Sequence, residues 1–333
     1  MSEAALFLLL GTALVAALLL GTVVGPYAIA PSEVLRLVGA RLTGTAEPST
    51  AATVLFNIRL PRVLAAALVG AALAGAGAAY QTIFRNPLVS PDILGVSAGA
   101  GFGAVLGILL SMPVIVIQLM GFAGGLATVA MVIGVAALLR GQAEVLVMVL
   151  TGIALGALAS AGISVVKILA DPDQQLPAIT FWLLGSLAGV KPGDLTLAVL
   201  PVVAGLVPLI ALAWRIGVMA MGEDEARALG VETGRLRLLV ILCATLVTAT
   251  AVAISGIIGW IGLMVPHMAR FLVGARFDRL LPASLILGAT FLVLVDTTAR
   301  SVATMEVPLG VLTALIGAPV FVWLLARGRR EWA

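Results

Sequence analysis

Apolar runs long enough to cross a lipid bilayer recur along the whole chain. An α-helix rises about 1.5 Å per residue, so it needs about 20 apolar residues to cross the hydrocarbon layer. Of the 333 residues, 62% are hydrophobic and only 11% are charged, which leaves more apolar surface than one water-soluble core could bury. The sequence therefore predicts an integral membrane protein.

The runs define ten candidate membrane-spanning helices. They lie near residues 4–24, 62–80, 93–110, 113–139, 144–169, 195–214, 238–258, 259–273, 280–298 and 306–326. The eighth run is short, and the connections leave no room for a soluble domain. We predict an all-α, polytopic membrane protein of about ten helices, with residues 1–333 forming a single transmembrane domain. The first run lacks the basic residues that begin a signal peptide, and we interpret it as a retained first helix.

The distribution of basic residues predicts the orientation of the chain. An even number of helices places both termini on one side, and the C-terminal sequence ARGRREWA carries three arginines. On that topology twelve Lys and Arg residues lie on the side of the termini and seven on the other, so both termini are predicted to be cytoplasmic. The first run disagrees locally, because Arg36 and Arg41 follow it and no basic residue precedes it. The net charge of +3 fits a bilayer surface and not nucleic acid.

One connection between predicted spans is unusually acidic. It reads GEDEARALGV from Gly222 to Val231. Three acids occupy the first turn of a potential helix, where the positive end of the helix dipole favours carboxylates, and Gly230 stands where a left-handed cap is needed. We predict a two-turn helix outside the bilayer. By itself this segment fits a solvated loop helix of ordinary charge better than a functional element.

Three arginines lie on the side that the positive-inside rule disfavours. Arg59 and Arg62 bracket Pro61 at the start of the second span, and Arg300 follows the ninth. Cations at a helix N-terminus also oppose the helix dipole. Either these side chains reach the lipid headgroups along their apolar stems, or they form a surface for a partner.

Three long motifs carry a resemblance to a known family. They read RLPRVLAAALVGAALAGAGAAYQTIFRNPLVSPDILGVSAGAG, GIIGWIGLMVPHMARFLVG and EVPLGVLTALIGAPVFVWLL. In this order and spacing, from about residue 55 to 326, they resemble the FecCD family, the transmembrane permeases of type II ABC importers. The resemblance implies ten helices per subunit, a homodimer around a central pathway, and the inner (plasma) membrane of a bacterium or archaeon.

The resemblance also implies partners and residue roles. The acidic helix near 222–230 matches the family's cytoplasmic coupling helix, which docks on a separate ATP-binding subunit. The implied coupling residues are Glu223, Asp224, Glu225, Arg227, Leu229 and Gly230. In vitamin B12-type members, the residues matching Arg59, Arg62 and Arg300 receive acids of an extracytoplasmic substrate-binding protein. No cofactor is implied for this chain, because ATP and Mg would be bound by the partner ATPase.

The cargo and one element of the pathway stay open. The family implies a metal chelate such as an iron-siderophore, haem or vitamin B12, and some relatives carry an oxyanion such as molybdate instead. A short helix is implied between the fifth and sixth spans, beside the mouth of the pathway. Phe181 and Trp182 in that segment either contact a bulky cargo or belong to an ordinary aromatic belt.

Other functions find less support in the residues. GVSAG at Gly95–Gly99 fits a serine-hydrolase motif, but the alternation of strands and helices around it is missing, and His267 is the only histidine that could serve as base. One histidine and the single Cys243 do not make a metal site or a disulfide. A gradient-driven carrier would keep ionisable groups in mid-membrane, whereas Lys167 and Asp296 lie near the ends of spans. A phosphate-binding GxxxxGK[ST] loop is also missing, so ATP hydrolysis must come from a partner.

Overall fold

A computed structural model of the chain describes residues 2–45, 48–139, 144–302 and 305–328, and these residues fold into helices joined by short connections. The basic residues Arg140, Arg329 and Arg330 of the orientation argument lie outside the described part. The α-helices in chain order are α1 (Glu3–Val23), α2 (Pro31–Thr43), α3 (Thr50–Thr53), α4 (Leu60–Ile83), α5 (Val96–Leu109), α6 (Val114–Leu138), α7 (Glu144–Leu169), α8 (Gln175–Leu184), α9 (Pro192–Ala211), α10 (Ala213–Met219), α11 (Glu223–Ala228), α12 (Thr233–Ser255), α13 (Ile261–Val273), α14 (Phe277–Ala299) and α15 (Leu309–Gly328).

The predicted all-α, polytopic class is confirmed. Within the described residues, seven helical segments are long and apolar enough to cross a membrane, namely α1, the α3–α4 segment, α6, α7, α9, α12 and α14. The other three predicted spans correspond to the shorter apolar helices α5, α13 and α15. The run from 238 to 273 is divided into α12 and α13 at Gly256 and Trp260, which both have positive φ angles, of 68° and 72°.

Helix α4 lies at the centre of the bundle, and small residues permit its close contacts. Among the seven segments, the one containing α4 is the most buried, and it packs against α14, α12 and α13. Gly70 of α4 faces Gly288 of α14 so closely that a Cβ atom on either residue would overlap the backbone of the other. In lipid, such contacts allow the dispersion forces that hold helices together.

The glycines of α5 form a packing surface. Gly99 and Gly103 lie against the backbone of α6 at Gly124 and Met120, so that neither position has space for a Cβ atom. On α7, Gly152 lies against the segment before α5, but Ser160 is exposed. The small residues of α7 therefore serve internal packing only on one face of the helix.

The two ends of the bundle carry different polar groups. Glu3 at the start of α1 pairs with Arg279 near the start of α14, at 2.7 Å, and the neighbouring helix α10 leads into α11. We call this the α11 end. Helix α14 then runs to Asp296, about 26 Å beyond Arg279 at 1.5 Å per residue, at what we call the Asp296 end. Arg62 at the start of α4 meets Asp296 there.

The contact between Gly70 and Gly288 generates a test of the packing. We expect Gly70→Ala to lower the thermal unfolding midpoint of the purified protein, because overpacking at a well-packed contact costs about 1–3 kcal/mol. Gly134 of α6 has no atom near its potential Cβ, so Gly134→Ala should leave the midpoint unchanged or raise it. Equal midpoints for the two variants would contradict the close contact.

Candidate functional site

Helix α11 is the short acidic element that the sequence predicts. It spans Glu223–Ala228, follows Gly222 with φ of 147° and precedes Gly230 with φ of 79°. These positive φ values suit glycine and bring the chain sharply into and out of the helix. The three acids lie in the first turn, as expected. The local prediction of a helix is therefore confirmed, while the coupling roles of its residues stay a prediction.

Glu223 fastens α11 to the membrane-spanning helix α12. One carboxylate oxygen accepts a hydrogen bond from Arg227 at 3.1 Å, and the other accepts one from Arg237 of α12. Arg237 is buried, with 4% of its surface exposed. A charge-assisted bond from a buried guanidinium is stronger than an exposed pair and fixes the position of its acceptor. Arg237 lies 14 residues beyond Glu223, so no helical spacing in the sequence indicates this pair.

The rest of α11 presents an open surface. The side chain of Asp224 is 98% exposed, and Glu225 and Arg227 are also exposed. Beside these charges, Met221 and Leu229 are 67% and 55% exposed. Exposed apolar side chains with charged side chains around them match the apolar centre and polar rim of a protein contact surface.

The three arginines of the opposite end point into the chain. Arg59, Arg62 and Arg300 are only 3%, 6% and 5% exposed. The Arg59 guanidinium donates to the carbonyl oxygens of Thr22 and Val23 at the end of α1, and to that of Tyr27 in the segment that follows. Arg62 donates to carboxylates of the chain and Arg300 to the carbonyl oxygen of Gly21, so the alternative in which the three side chains reach lipid headgroups does not describe this structure. Their role in docking a partner stays a prediction.

Asp296 joins two of these arginines in a buried network. Arg62 Nε donates to Asp296 Oδ1 at 2.8 Å, and Arg300 Nε lies 3.4 Å from Asp296 Oδ2. Arg62 also donates to Glu306 at 2.6 Å, whose side chain is 41% exposed. The network links α4, α14 and the segment before α15. Only the spacing of Asp296 and Arg300 by four residues was visible in the sequence.

A cavity of about 490 Å³ lies at the Asp296 end beside α8. Trp182 of α8 and Gln118 of α6 line it together with the end of α12. Helix α8 is the short helix expected between the fifth and sixth spans. Trp182 therefore faces a cavity, while Phe181 is 53% exposed.

The remaining candidate residues have structural surroundings. Ser97 donates to Asp92, and neither ring nitrogen of His267 has a hydrogen-bond partner in the described part of the chain. His267 instead lies edge-on to Phe271 and Phe321, with ring centroids 5.2 and 6.0 Å away. A serine–histidine pair is thus not formed. Among the described residues, no group of three metal-ligating side chains comes together.

The fold and its two polar ends define a multi-pass helical membrane protein of the transport permease class. The chain belongs to the FecCD transport family, whose family model matches residues 13–327. Its fold is the type II ABC importer permease fold that the sequence predicted. The chain is thus an ABC importer permease, and Asp296 and Glu223 are polar residues at the two opposite ends of its bundle.

Three comparisons illustrate this membership. The chain is 39% identical over 308 residues to the molybdate import system permease protein MolB of Haemophilus influenzae, covering 92% of this chain and 91% of that protein. It is 40% identical to a probable iron chelatin transport system permease protein of Helicobacter pylori, over 56% of this chain and 57% of that protein. An inward-facing structure of a protein assigned to the metal-chelate type of ABC transporter matches with a TM-score of 0.87 at 37% identity, covering 98% of this chain and 100% of that chain.

The Asp296 network generates a test at the opposite end from α11. We expect Asp296→Asn to destabilise the protein by about 3–5 kcal/mol, because it leaves the buried guanidinium of Arg300 without a counter-charge and that of Arg62 with Glu306 alone. The unfolding midpoint in detergent measures this loss.

A control lies on the same helix. Asp278 pairs with Arg276 at 2.7 Å, but both side chains are largely exposed, at 44% and 68%, so Asp278→Asn should change the midpoint little. If Asp296→Asn and Asp278→Asn had the same unfolding midpoint, the buried network would not hold α4 to α14.

Proposed function

We propose that this chain is moved by a separate cytoplasmic ATP-binding subunit that docks on α11. The observation that carries the proposal is that one side of this helix is bound to α12 while the other side is exposed. Glu223 is bound to the buried Arg237 of α12, whereas Asp224 and Leu229 are exposed beyond it. If a partner bound to the exposed face moves, it would displace α11. The ion pair of Glu223 with Arg237 would then displace α12 as well.

The packing of α12 supports transmission of such a movement. Helix α12 packs against α4, α9, α6 and α5, so it has few ways to move independently of them. Interfaces of packed helices switch between discrete arrangements more easily than they deform continuously. In this proposal ATP and Mg are bound by the partner, and this chain carries no cofactor. The coupling helix is then a cytoplasmic extension of a single transmembrane domain that spans the whole chain.

The Asp296 end would receive an extracytoplasmic substrate-binding protein, with both termini of the chain in the cytoplasm. Arg59, Arg62 and Arg300 are the proposed docking residues. Because Asp296 and Glu306 already bind Arg62, acids of the binding protein would compete with them for the same donors. Glu306 is the exposed member of the network and the first that an approaching protein would meet.

A second copy of this chain would complete the pathway. Only 11% of the membrane-spanning window of α7 is buried within one chain. The exposed face of α7 carries Ser160 and Ser164, whose hydroxyl groups donate to backbone carbonyls of their own helix at 2.9 and 3.0 Å. A face with serines and small residues packs against protein or lines a polar passage more readily than it faces lipid. This exposure supports the homodimer.

The proposed cargo is a metal chelate, such as an iron-siderophore, haem or vitamin B12. The likeness to a transporter assigned to the metal-chelate type, over nearly the whole chain, supports it. Molybdate is the alternative, favoured by the likeness to a molybdate permease over 92% of this chain. Uptake by the reconstituted transporter, measured with radiolabelled molybdate and with a radiolabelled ferric siderophore, separates the two.

Charge reversal on the exposed face of α11 tests the docking. We expect Asp224→Lys to reduce binding of the ATP-binding subunit by about tenfold or more, since a like charge in a protein contact costs several kcal/mol. Co-purification of the two subunits from membranes, with titration of the purified partner, measures the loss.

The matched control is an exposed acid at the other end of the bundle. Asp173 precedes α8 and is exposed, so Asp173→Lys should bind the ATP-binding subunit as the unmodified chain does. Unchanged binding by Asp224→Lys, with its fold intact, would remove α11 as the docking element.

A further inference from the structure

A second polar cavity lies at the α11 end, between the junction of α9 with α10 and the start of α12. Its volume is about 390 Å³, within the range of about 300–1,000 Å³ that is usual for small-ligand sites. Arg215 and Arg235 line it from the two sides, and Leu212 and Leu239 form apolar parts of the wall. Neither arginine has a role in the contacts that hold α11 to α12.

The cavity carries a net positive charge. Glu232 is its one acid, and its carboxylate accepts a hydrogen bond from Arg235 at 2.7 Å. Both side chains of this pair are largely exposed, at 67% and 86%, so water screens their attraction. Arg215 forms no ion pair within the part of the chain that the structure describes, and it is exposed. An anionic group in the cavity would therefore meet one free guanidinium and one that is weakly paired.

The apolar surface on either side of the cavity is the surface of membrane-spanning helices. On α12, Arg235 is followed by the exposed residues Leu238 and Leu242, at 41% and 52%. On the other side, the exposed Ile210 near the end of α9 is followed by Trp214, at 54% and 65%. Where exposed leucine and isoleucine are followed by tryptophan and arginine towards the end of a helix, the helix crosses from the hydrocarbon layer into the headgroups.

We propose that this cavity binds the headgroup of an anionic phospholipid. Arg215 and Arg235 contact its phosphate, and the acyl chains lie along Leu238, Leu242 and Ile210. The apolar walls that Leu212 and Leu239 give the cavity, with the exposed Leu242 one turn further along α12, favour a lipid over a free anion, which would gain nothing from them. A basic pocket between membrane-spanning helices, at their cytoplasmic ends, is a common form of such a site. The proposal needs the chain to lie in a membrane, but it does not need the docking of an ATP-binding subunit.

Lipid titration of the full-length protein tests the site. Native mass spectrometry in detergent would compare phosphatidylglycerol with phosphatidylcholine of the same acyl chains. We expect tighter binding of phosphatidylglycerol, and a loss of about fivefold in its affinity for each arginine replaced, as in Arg215→Gln with Arg235→Gln. Phosphatidylcholine binding should not change. Arg215→Lys with Arg235→Lys keeps both charges and should keep most of the preference, which separates loss of charge from loss of fold.

A matched control and two further measurements define what would overturn the site. Arg276 is an exposed arginine at the same end but outside the cavity, so Arg276→Gln should bind phosphatidylglycerol normally. An unchanged lipid preference in the double Gln variant would overturn the proposal. So would displacement of the lipid by millimolar inorganic phosphate, which would indicate a site for free anions. Normal lipid binding with loss of the ATP-binding subunit would assign the two arginines to a protein interface instead.

Discussion

Close backbone contact between glycine-bearing helices is the interaction on which this fold depends. In lipid, apolar side chains gain nothing by exchanging lipid for protein neighbours, so helices associate through dispersion at short range and through polar contacts. Gly70 against Gly288, and Gly99 against Gly124, bring their helices to distances that no larger residue would permit. The helices around α4 therefore form a closely packed body, and a displacement applied at one end is carried to the other.

Ion pairs at the two ends of the bundle join its helices to the surfaces where we propose that partners bind. At one end Asp296 joins α4 to α14 through buried arginines, and the network reaches the surface at Glu306. At the other end Glu223 joins α11 to α12, and the surface of α11 lies beyond it. Each end thus combines an ion pair made by a buried arginine, which is costly to leave without its partner, with an exposed acid nearby. This arrangement suits a permease that receives a cargo-bearing protein on one side and a motor subunit on the other.

Local patterns in the sequence predicted the helices, but not the contacts between them. Hydropathy located the ten spans because each is a continuous apolar run, and the acids before Gly230 located α11. The predicted boundary between residues 258 and 259 falls within the break between α12 and α13, but hydropathy did not predict the positive φ angles that form this break. The pairing of Arg62 with Asp296 joins residues 234 positions apart, which no spacing rule reveals. The arginines were therefore expected at the surface, although the fold buries them.

The transfer of movement from α11 to α12 through Glu223 is the central claim, and the cargo transported per ATP hydrolysed tests it most directly. The measurement compares the unmodified chain with Glu223→Gln, each reconstituted with its ATP-binding subunit and substrate-binding protein. The account predicts normal subunit binding and ATP hydrolysis by the variant, with cargo transport per ATP reduced by about tenfold. Glu33→Gln, which weakens an exposed pair with Arg36, should behave as the unmodified chain does. An unchanged ratio in Glu223→Gln would contradict the account.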